Sequence, residues 1–391
     1  MKTHLFSRPL PAQAPLRRSL YLCLSAFICG SPLLSAAPGD STQQRGGASA
    51  GASRLLSAEP GGGTQLVSVK KIWDAAPHNA FTDLTQFAGQ WFCTFREATG
   101  HVGGNGAIRV LSSVDGERWE SAALLTEEGV DLRDPKFSIP PDGRLMLVMG
   151  GSVYEGKVLK ERQSRVAFSK DGWKWTAPQR VLEKGDWLWR VTWHKGRAYG
   201  ISYSQAGKPG ADNESAITLV RSWDGVTWLP AAKLAVPGRP TEATVRFLPN
   251  GDCVALVRRE GLAPNPNKDA WIGSSSAPYT DWRWRSAGMQ IGGPNFVVLP
   301  DSAAVASGRQ YNEKPDAAKT FVGPLTLDSV EPALILPSGG DCSYPGLVWS
   351  DGLLWVSYYS SHEGKTSIYL AKVRIPGHEP ETKAARPKRR R

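Results

Sequence analysis

Polar residues open a series of short apolar runs along this chain, and their types can do chemistry. They are Asp83, Arg133 with Asp134, Arg190, Glu242, Asn295 and Tyr344. Carboxylates and a phenol can pass protons, and guanidinium groups can hold an anion with paired, charge-assisted bonds. Gathered at one centre, such groups are costly unless they pair with one another or meet a ligand. Taken singly, each is also an ordinary partner for a buried ion pair. The elements that carry them decide between the two readings. Metal-ligand spacing gives no support of its own, because no CxxC or HExxH pattern occurs. Of five cysteines, Cys23 and Cys29 lie in an N-terminal leader, and Cys93, Cys253 and Cys342 are far apart and odd in number. No disulfide framework, metal site or cofactor is expected.

The elements follow from a repeated phrase. Ser113 to Trp119, Ser169 to Trp175 and Ser222 to Trp228 share the pattern S-x-D-G-x-x-W, at spacings of 56 and 53 residues. A fixed period of this size marks a repeat architecture. Six similar units can be read between residues 66 and 376. Their opening runs are residues 81–87, 132–139, 188–193, 241–248, 294–299 and 344–349. Turns such as Pro141-Asp142-Gly143 and Pro249-Asn250-Gly251 lead to second strands at 91–95, 145–149, 198–203, 253–257, 303–307 and 353–358. Unit four keeps a decayed phrase across 275–284, and unit five only residues 325–328. The expected fold is all-β, a six-bladed β-propeller of four-stranded antiparallel blades. A strand at 66–73 would complete the last blade and remove the exposed edge. The phrase itself is scaffold on the outer part of each blade. Chemistry belongs where the opening strands converge.

The ends read differently. Arg17-Arg18, an apolar run over 20–34 and the small residues Ser35-Ala36-Ala37 read as a secretion signal over 1–37, cleaved near Ala37. The run is short and broken by Gly30 and Pro32, so no membrane span is expected in the mature, exported chain, periplasmic or extracellular. Residues 38–65 are a Gly-, Ser- and Ala-rich linker, and 377–391 a disordered basic tail. The net charge is +11, of which the leader carries +4 and the tail's Lys and Arg +6, leaving +1 for the rest. A near-neutral body argues against a nucleic-acid groove.

An ordered polar series then resembles a known family. The chain has Glu242 in Pro-Thr-Glu-Ala-Thr, Arg258 sixteen residues on in Leu-Val-Arg-Arg, Arg309 in Ser-Gly-Arg-Gln-Tyr and Tyr344 in Asp-Cys-Ser-Tyr-Pro-Gly. With the repeated turns and the six-unit period, this resembles the sialidase (neuraminidase) superfamily of glycoside hydrolases across nearly the whole body. The resemblance implies release of a terminal acidic sugar, such as sialic acid, from glycans. Tyr344 would be the nucleophile, Glu242 its base, and Arg258 and Arg309 two members of a carboxylate clamp. A tyrosine suits an anomeric carbon that carries a carboxylate, since a neutral hydroxyl approaches with less repulsion than an anion; sialidases are the tyrosine exception among glycosidases.

The chain departs from the family's pattern in two places. The usual blade-one arginine is replaced by Phe81-Thr82-Asp83-Leu84, so Arg96, Arg133 or Arg190 would have to supply the third guanidinium. The loop expected to hold the acid reads His101-Val-Gly-Gly-Asn105-Gly, which leaves Asp134 as the acid candidate, with Asp83 and His101 behind it. Arg258 and Arg259 point to opposite faces by strand alternation, and the spacing selects Arg258. Two alternatives stand beside the sialidase reading. One is a lyase or hydrolase on a uronic-acid glycan, using His101, Tyr203, Tyr311 or His362. The other is a non-catalytic glycan-binding propeller.

Overall fold

A computed structural model describes residues 63–103, 105–204, 216–262, 265–312 and 317–378. The expected signal, nearly all of the linker and the basic tail lie outside them. Six small antiparallel sheets follow one another along the chain. Blade one is β2 (His78–Phe87), β3 (Gln90–Ala98), β4 (Ala107–Ser113) and β5 (Glu120–Leu125). Blade two is β6 (Asp131–Ser138), β7 (Leu145–Glu155), β8 (Val158–Ser169) and β9 (Gln179–Val181). Blade three is β10 (Asp186–Leu188), β11 (Thr192–His194), β12 (Arg197–Ser204), β13 (Ile217–Ser222) and β14 (Trp228–Leu234). Blade four is β15 (Pro240–Phe247), β16 (Cys253–Arg259), β17 (Trp271–Ser275) and β18 (Arg283–Ser286). Blade five is β19 (Ile291–Val298), β20 (Ala304–Gln310), β21 (Lys319–Leu325) and β22 (Leu334–Leu336). Blade six is β23 (Cys342–Ser350), β24 (Leu353–Ser360) and β25 (Ser367–Arg374), completed by β1 (Gln65–Trp73) from the start of the chain. The fold is a six-bladed β-propeller, and β1, pairing with β25, supplies the fourth and outermost strand of the last blade and closes the ring.

The second strands of the blades are buried on both faces and read as near-continuous apolar runs, as in Leu145 to Met149 and Cys253 to Val257. Blades meet through large aromatic side chains; Trp91 of blade one stacks on Trp355 of blade six with ring centroids 4.2 Å apart. Blade three differs from the continuous run expected over 188–193. Its inner strand breaks into β10 and β11, because Trp189, Arg190 and Val191 stand opposite only Gly200 and Ile201. Gly200 permits the break: a Cβ there would lie 2.6 Å from the Arg190 carbonyl oxygen.

The three S-x-D-G-x-x-W phrases form one turn, repeated, between the third and fourth strands of blades one to three. In the first, Asp115 Oδ1 accepts from the amides of Glu117 and Arg118 at 2.8 and 2.9 Å, and Ser113 Oγ accepts from the amide of Gly116 at 2.8 Å. The Trp119 indole donates to the Gly116 carbonyl at 3.2 Å. These amide bonds hold the Asp115 carboxylate well below its ordinary range. Blade four's decayed copy runs over 276–282 rather than to Trp284. The Trp282 indole donates to the Tyr279 carbonyl at 2.9 Å, three residues back as in the intact turns. Tyr279 takes the glycine position with φ 68°.

A second repeated device lies at the axis. In five blades the inner strand sets two residues opposite one on its neighbour, a bulge of one extra residue. The pairs are Phe81-Thr82, Asp134-Pro135, Thr241-Glu242, Gly293-Pro294 and Tyr344-Pro345. Proline, having no amide N–H to lose, suits the second place in three of them. Phe81, Asp134, Gly293 and Tyr344 take positive φ values of 67°, 51°, 58° and 53°. Such bulges re-aim side chains next to sites, and non-glycine residues held at positive φ are strain that the surrounding structure must impose.

Candidate active site

The axial bulges put Tyr344 against Glu242. The Tyr344 hydroxyl donates to Glu242 Oε1 at 2.7 Å, across 102 residues of sequence. Arg258, next strand out from Glu242, places Nη1 3.0 Å from both carboxylate oxygens and 2.9 Å from the phenol oxygen. The amide of Gly293 donates to Glu242 Oε2 at 2.7 Å. Gly293 must be glycine here, since a Cβ would lie 2.6 Å from the Tyr344 ring. Burial first, then the neighbouring Glu242 charge, raises the Tyr344 phenol well above its ordinary range, against the pull of Arg258 and Arg309. Tyr344 therefore rests protonated, with its proton aimed at a base.

Two further guanidinium groups flank this pair. Arg309 lies over the Tyr344 ring, 5.2 Å from its centroid, and is anchored by the Cys342 carbonyl, Asp341 and Tyr359. Arg133 donates through Nη1 to the His101 carbonyl at 3.0 Å and to Asp131 at 3.3 Å, and lies within electrostatic reach of Tyr344. Arg133 Nη2, Arg258 Nη2 and Arg309 Nη1 have no hydrogen-bond partner among the described residues. The Tyr311 ring lies near both Arg258 and Arg309, its centroid 6.0 and 5.8 Å from their guanidinium carbons.

Asp134 is the second carboxyl of the centre. Its nearest ion partner, Arg133 Nε, is 4.0 Å away. Burial raises its pKa, and the Glu242 charge adds to that; Arg133 and Lys136 pull the other way without cancelling it. A buried carboxyl held above its ordinary range suits the role of an acid at a site where a second carboxylate, Glu242, accepts the Tyr344 proton.

The remaining residues named from the sequence are placed in two ways. Arg96 is fully buried and spent on Asp131, at 2.6 and 2.9 Å, and on the Gly100 carbonyl. Arg190 and Asp83 pair with each other at 2.9 Å, and Asp83 also accepts from the Phe137 amide. Asn295 bonds Arg246 and the Pro345 carbonyl. These four are internal ties between blades. Arg133, of the three arginines considered for blade one's missing group, is the one beside Tyr344. His101 is at the rim, bonded to Asp341 at 2.8 Å. Arg259 faces away, over Trp271. Of the residues for a lyase, Tyr203 is buried within electrostatic reach of Glu242 and Asp134, whereas His362 sits on the β24–β25 turn beside Tyr369.

Lys136 was not picked out by sequence reasoning. Its ammonium is buried beneath the site, bonded to the Thr82 and Pro135 carbonyls at 3.2 Å and 4.9 Å from the Trp189 ring centroid. Burial and Arg190 lower its pKa to about 8, with Asp83, Asp134 and Glu242 opposing. Its signal was the Asp-Pro-Lys phrase at a bulge, which shifts the strand's alternation. His78, His101 and Asp341 were likewise invisible as a set; their ligand atoms lie within 4.8 Å of one another and could hold a metal ion.

No protein-family model and no curated protein matches this chain. Solved structures do. A protein of unknown function from Dyadobacter fermentans is 22% identical over 81% of this chain and all of its own, with a TM-score of 0.70. An α-L-arabinofuranosidase of Fusarium graminearum, in complex with arabinobiose, is 17% identical over 80% of this chain and 98% of its own, at 0.61. A Trypanosoma rangeli sialidase bound to the inhibitor DANA is 12% identical over 80% of this chain and 58% of its own, at 0.59. The fold is thus one shared by propeller glycoside hydrolases.

Proposed function

We propose that the protein is a retaining exo-glycoside hydrolase of sialidase type, acting on a terminal sugar that carries a carboxylate. The observation that carries this reading is the Tyr344–Glu242–Arg258 cluster, in which one phenol is bonded to a base and a cation at once. As Tyr344 Oη attacks the anomeric carbon, Glu242 takes its proton and Asp134 gives its own to the departing glycosidic oxygen. A glycosyl-tyrosine forms. Water then attacks the same carbon, Asp134 takes the water's proton, and the tyrosinate leaves and recovers its proton from Glu242. The unpaired ends of Arg133, Arg258 and Arg309 offer donors to the sugar carboxylate. Export, suggested by the leader, would bring the enzyme to glycans outside the cytoplasm.

A second reading has its own support. Each arginine already faces a carboxylate: Arg258 has Glu242 and Glu260, Arg309 has Asp341, and Arg133 has Asp131 and Asp134. A centre neutralised in this way also suits a neutral sugar, and the arabinofuranosidase likeness is at least as close as the sialidase one. Hydrolysis of aryl sialosides, aryl uronides and aryl α-L-arabinofuranosides, compared side by side, separates the two. Turnover of the arabinofuranoside alone would overturn the acidic-sugar reading, and turnover of none would favour a binding module.

A further inference from the structure

Three side chains from separate stretches of the chain meet beside the Tyr344–Glu242–Arg258 cluster, outside it. His78 lies at the start of β2, His101 in the β3–β4 connection and Asp341 just before β23. His78 Nε2 is 3.0 Å and His101 Nδ1 2.8 Å from the same oxygen, Asp341 Oδ2. The rings stand edge to face, 5.4 Å between centroids. Two imidazoles aimed at one carboxylate oxygen are close to a three-ligand metal set. A tetrahedral zinc, with ligand bonds of about 2.0–2.2 Å, separates its donor atoms by roughly 3.3–3.5 Å. The two N···O spacings are a few tenths of an ångström short of that value, and all three donor atoms lie within 4.8 Å of one another. The carboxylate is also held from behind, which fixes its direction. Asp341 Oδ1 accepts from the Tyr359 hydroxyl at 2.7 Å and from Arg309 Nη2 at 3.2 Å, and the Asp341 amide donates to Ser361. Such outer partners are what orient ligating carboxylates at metal sites.

We propose that His78, His101 and Asp341 form a binding site for a divalent transition ion of zinc type, with Nε2, Nδ1 and Oδ2 as ligands and at least one position left open. Two imidazoles and one carboxylate suit zinc or cobalt over calcium and magnesium, which prefer all-oxygen sets. His78 Nδ1 is buried without an acceptor among the described residues. Lack of that second-shell partner weakens binding about 10–100-fold, so the affinity belongs to an exchangeable ion and not to a structural one. The site stands independently of the hydrolase mechanism, which routes no step through it. Its position does matter for recognition. Asp341 links it to Arg309, and Phe81 packs between His101 and Tyr344, with ring centroids 5.3 and 5.2 Å away.

Titration of the metal-free full chain with Co²⁺ tests the site, followed by visible absorption and by metal stoichiometry after dialysis against zinc. One ion per chain is expected, with a ligand-field band that zinc abolishes. His101→Ala, on an exposed connection, should weaken binding at least tenfold with an unchanged far-ultraviolet spectrum. His78→Ala and Asp341→Asn should do the same; where either fails to fold, His101→Ala carries the test. Absence of stoichiometric metal in the parent chain, or parental affinity in folded His101→Ala, overturns the proposal.

Discussion

Glu242→Gln isolates the step on which the tyrosyl mechanism depends. A phenol of ordinary pKa near 10 is ionised in about one molecule in a thousand at pH 7. Tyr344 is raised above that by burial and by Glu242 itself, so its resting phenolate is scarcer still. Attack must therefore be assisted, and the 2.7 Å bond to Glu242 Oε1 is the route for the proton. Removing the base leaves only the spontaneous phenolate, and also removes the Glu242 charge that helps to suppress it, so kcat/KM at pH 7 should fall by about 10³-fold. The residual rate should then climb close to tenfold per pH unit on the alkaline side, a slope not expected of the parent chain. The variant should still fold. Arg258 keeps Glu260, with Nε to Oε1 at 2.8 Å, and a Gln amide oxygen can still accept from Gly293. Loss of charge-assisted bonds should cost about 1.5–3 kcal/mol, read by urea unfolding. Initial rates on an aryl glycoside across pH, with a fluorinated substrate trapped and mapped by peptide mass spectrometry, provide the assay. A variant that keeps a tenth of the parent rate refutes the reasoning. So does a covalent adduct on Glu242 in place of Tyr344, which would make the carboxylate the nucleophile.

Other substitutions probe the parts around that step. Asp134→Asn should lose activity on poor leaving groups by about 10²–10⁴-fold yet keep most of it on an activated aryl glycoside, because only the former need an acid. The alkaline limb of the parent's pH profile, set above the ordinary carboxylate range by Asp134's raised pKa, should vanish in the same variant. Lys136 has its folded pKa lowered to about 8, so its charge is disfavoured in the native state. Native stability should then rise as pH moves from about 8 toward the unfolded value of 10.5, and Lys136→Met should abolish that rise in pH-dependent melting. Gly116→Ala would set a Cβ 2.4 Å from the Trp355 ring at φ +70°, and should destabilise by about 1–3 kcal/mol in denaturant titration without changing KM. Arg133→Met should raise KM for a sugar carboxylate far more than for a neutral aryl glycoside, and an equal effect on both would remove Arg133 from the clamp.

The sequence by itself determined the blades. Turn residues and apolar runs act locally, so the opening runs at 81–87 and 344–349 fall within β2 and β23, the run at 241–248 passes the end of β15 by one residue, and residues 66–73 fall within the closing strand β1. Spacing inside single blades also placed Glu242 one strand from Arg258, because partners sixteen residues apart on a hairpin are fixed by its turn. Pairings that depend on ring closure were beyond it. Arg96, Arg133 and Arg190 looked alike as residues. Only the closed ring consumed Arg96 with Asp131 and Arg190 with Asp83, leaving Arg133 beside Tyr344. Lys136 entered the centre because a bulge shifts alternation, and bulges are set by the neighbouring strand's register. His78 and Asp341 are 263 residues apart and meet because β1 from one end of the chain completes the blade begun by β23 near the other. Local chemistry writes strands and turns into the chain. Which charged groups neutralise one another, and which are left to face a substrate, is decided only when six blades share one axis and burial makes every unpaired charge costly.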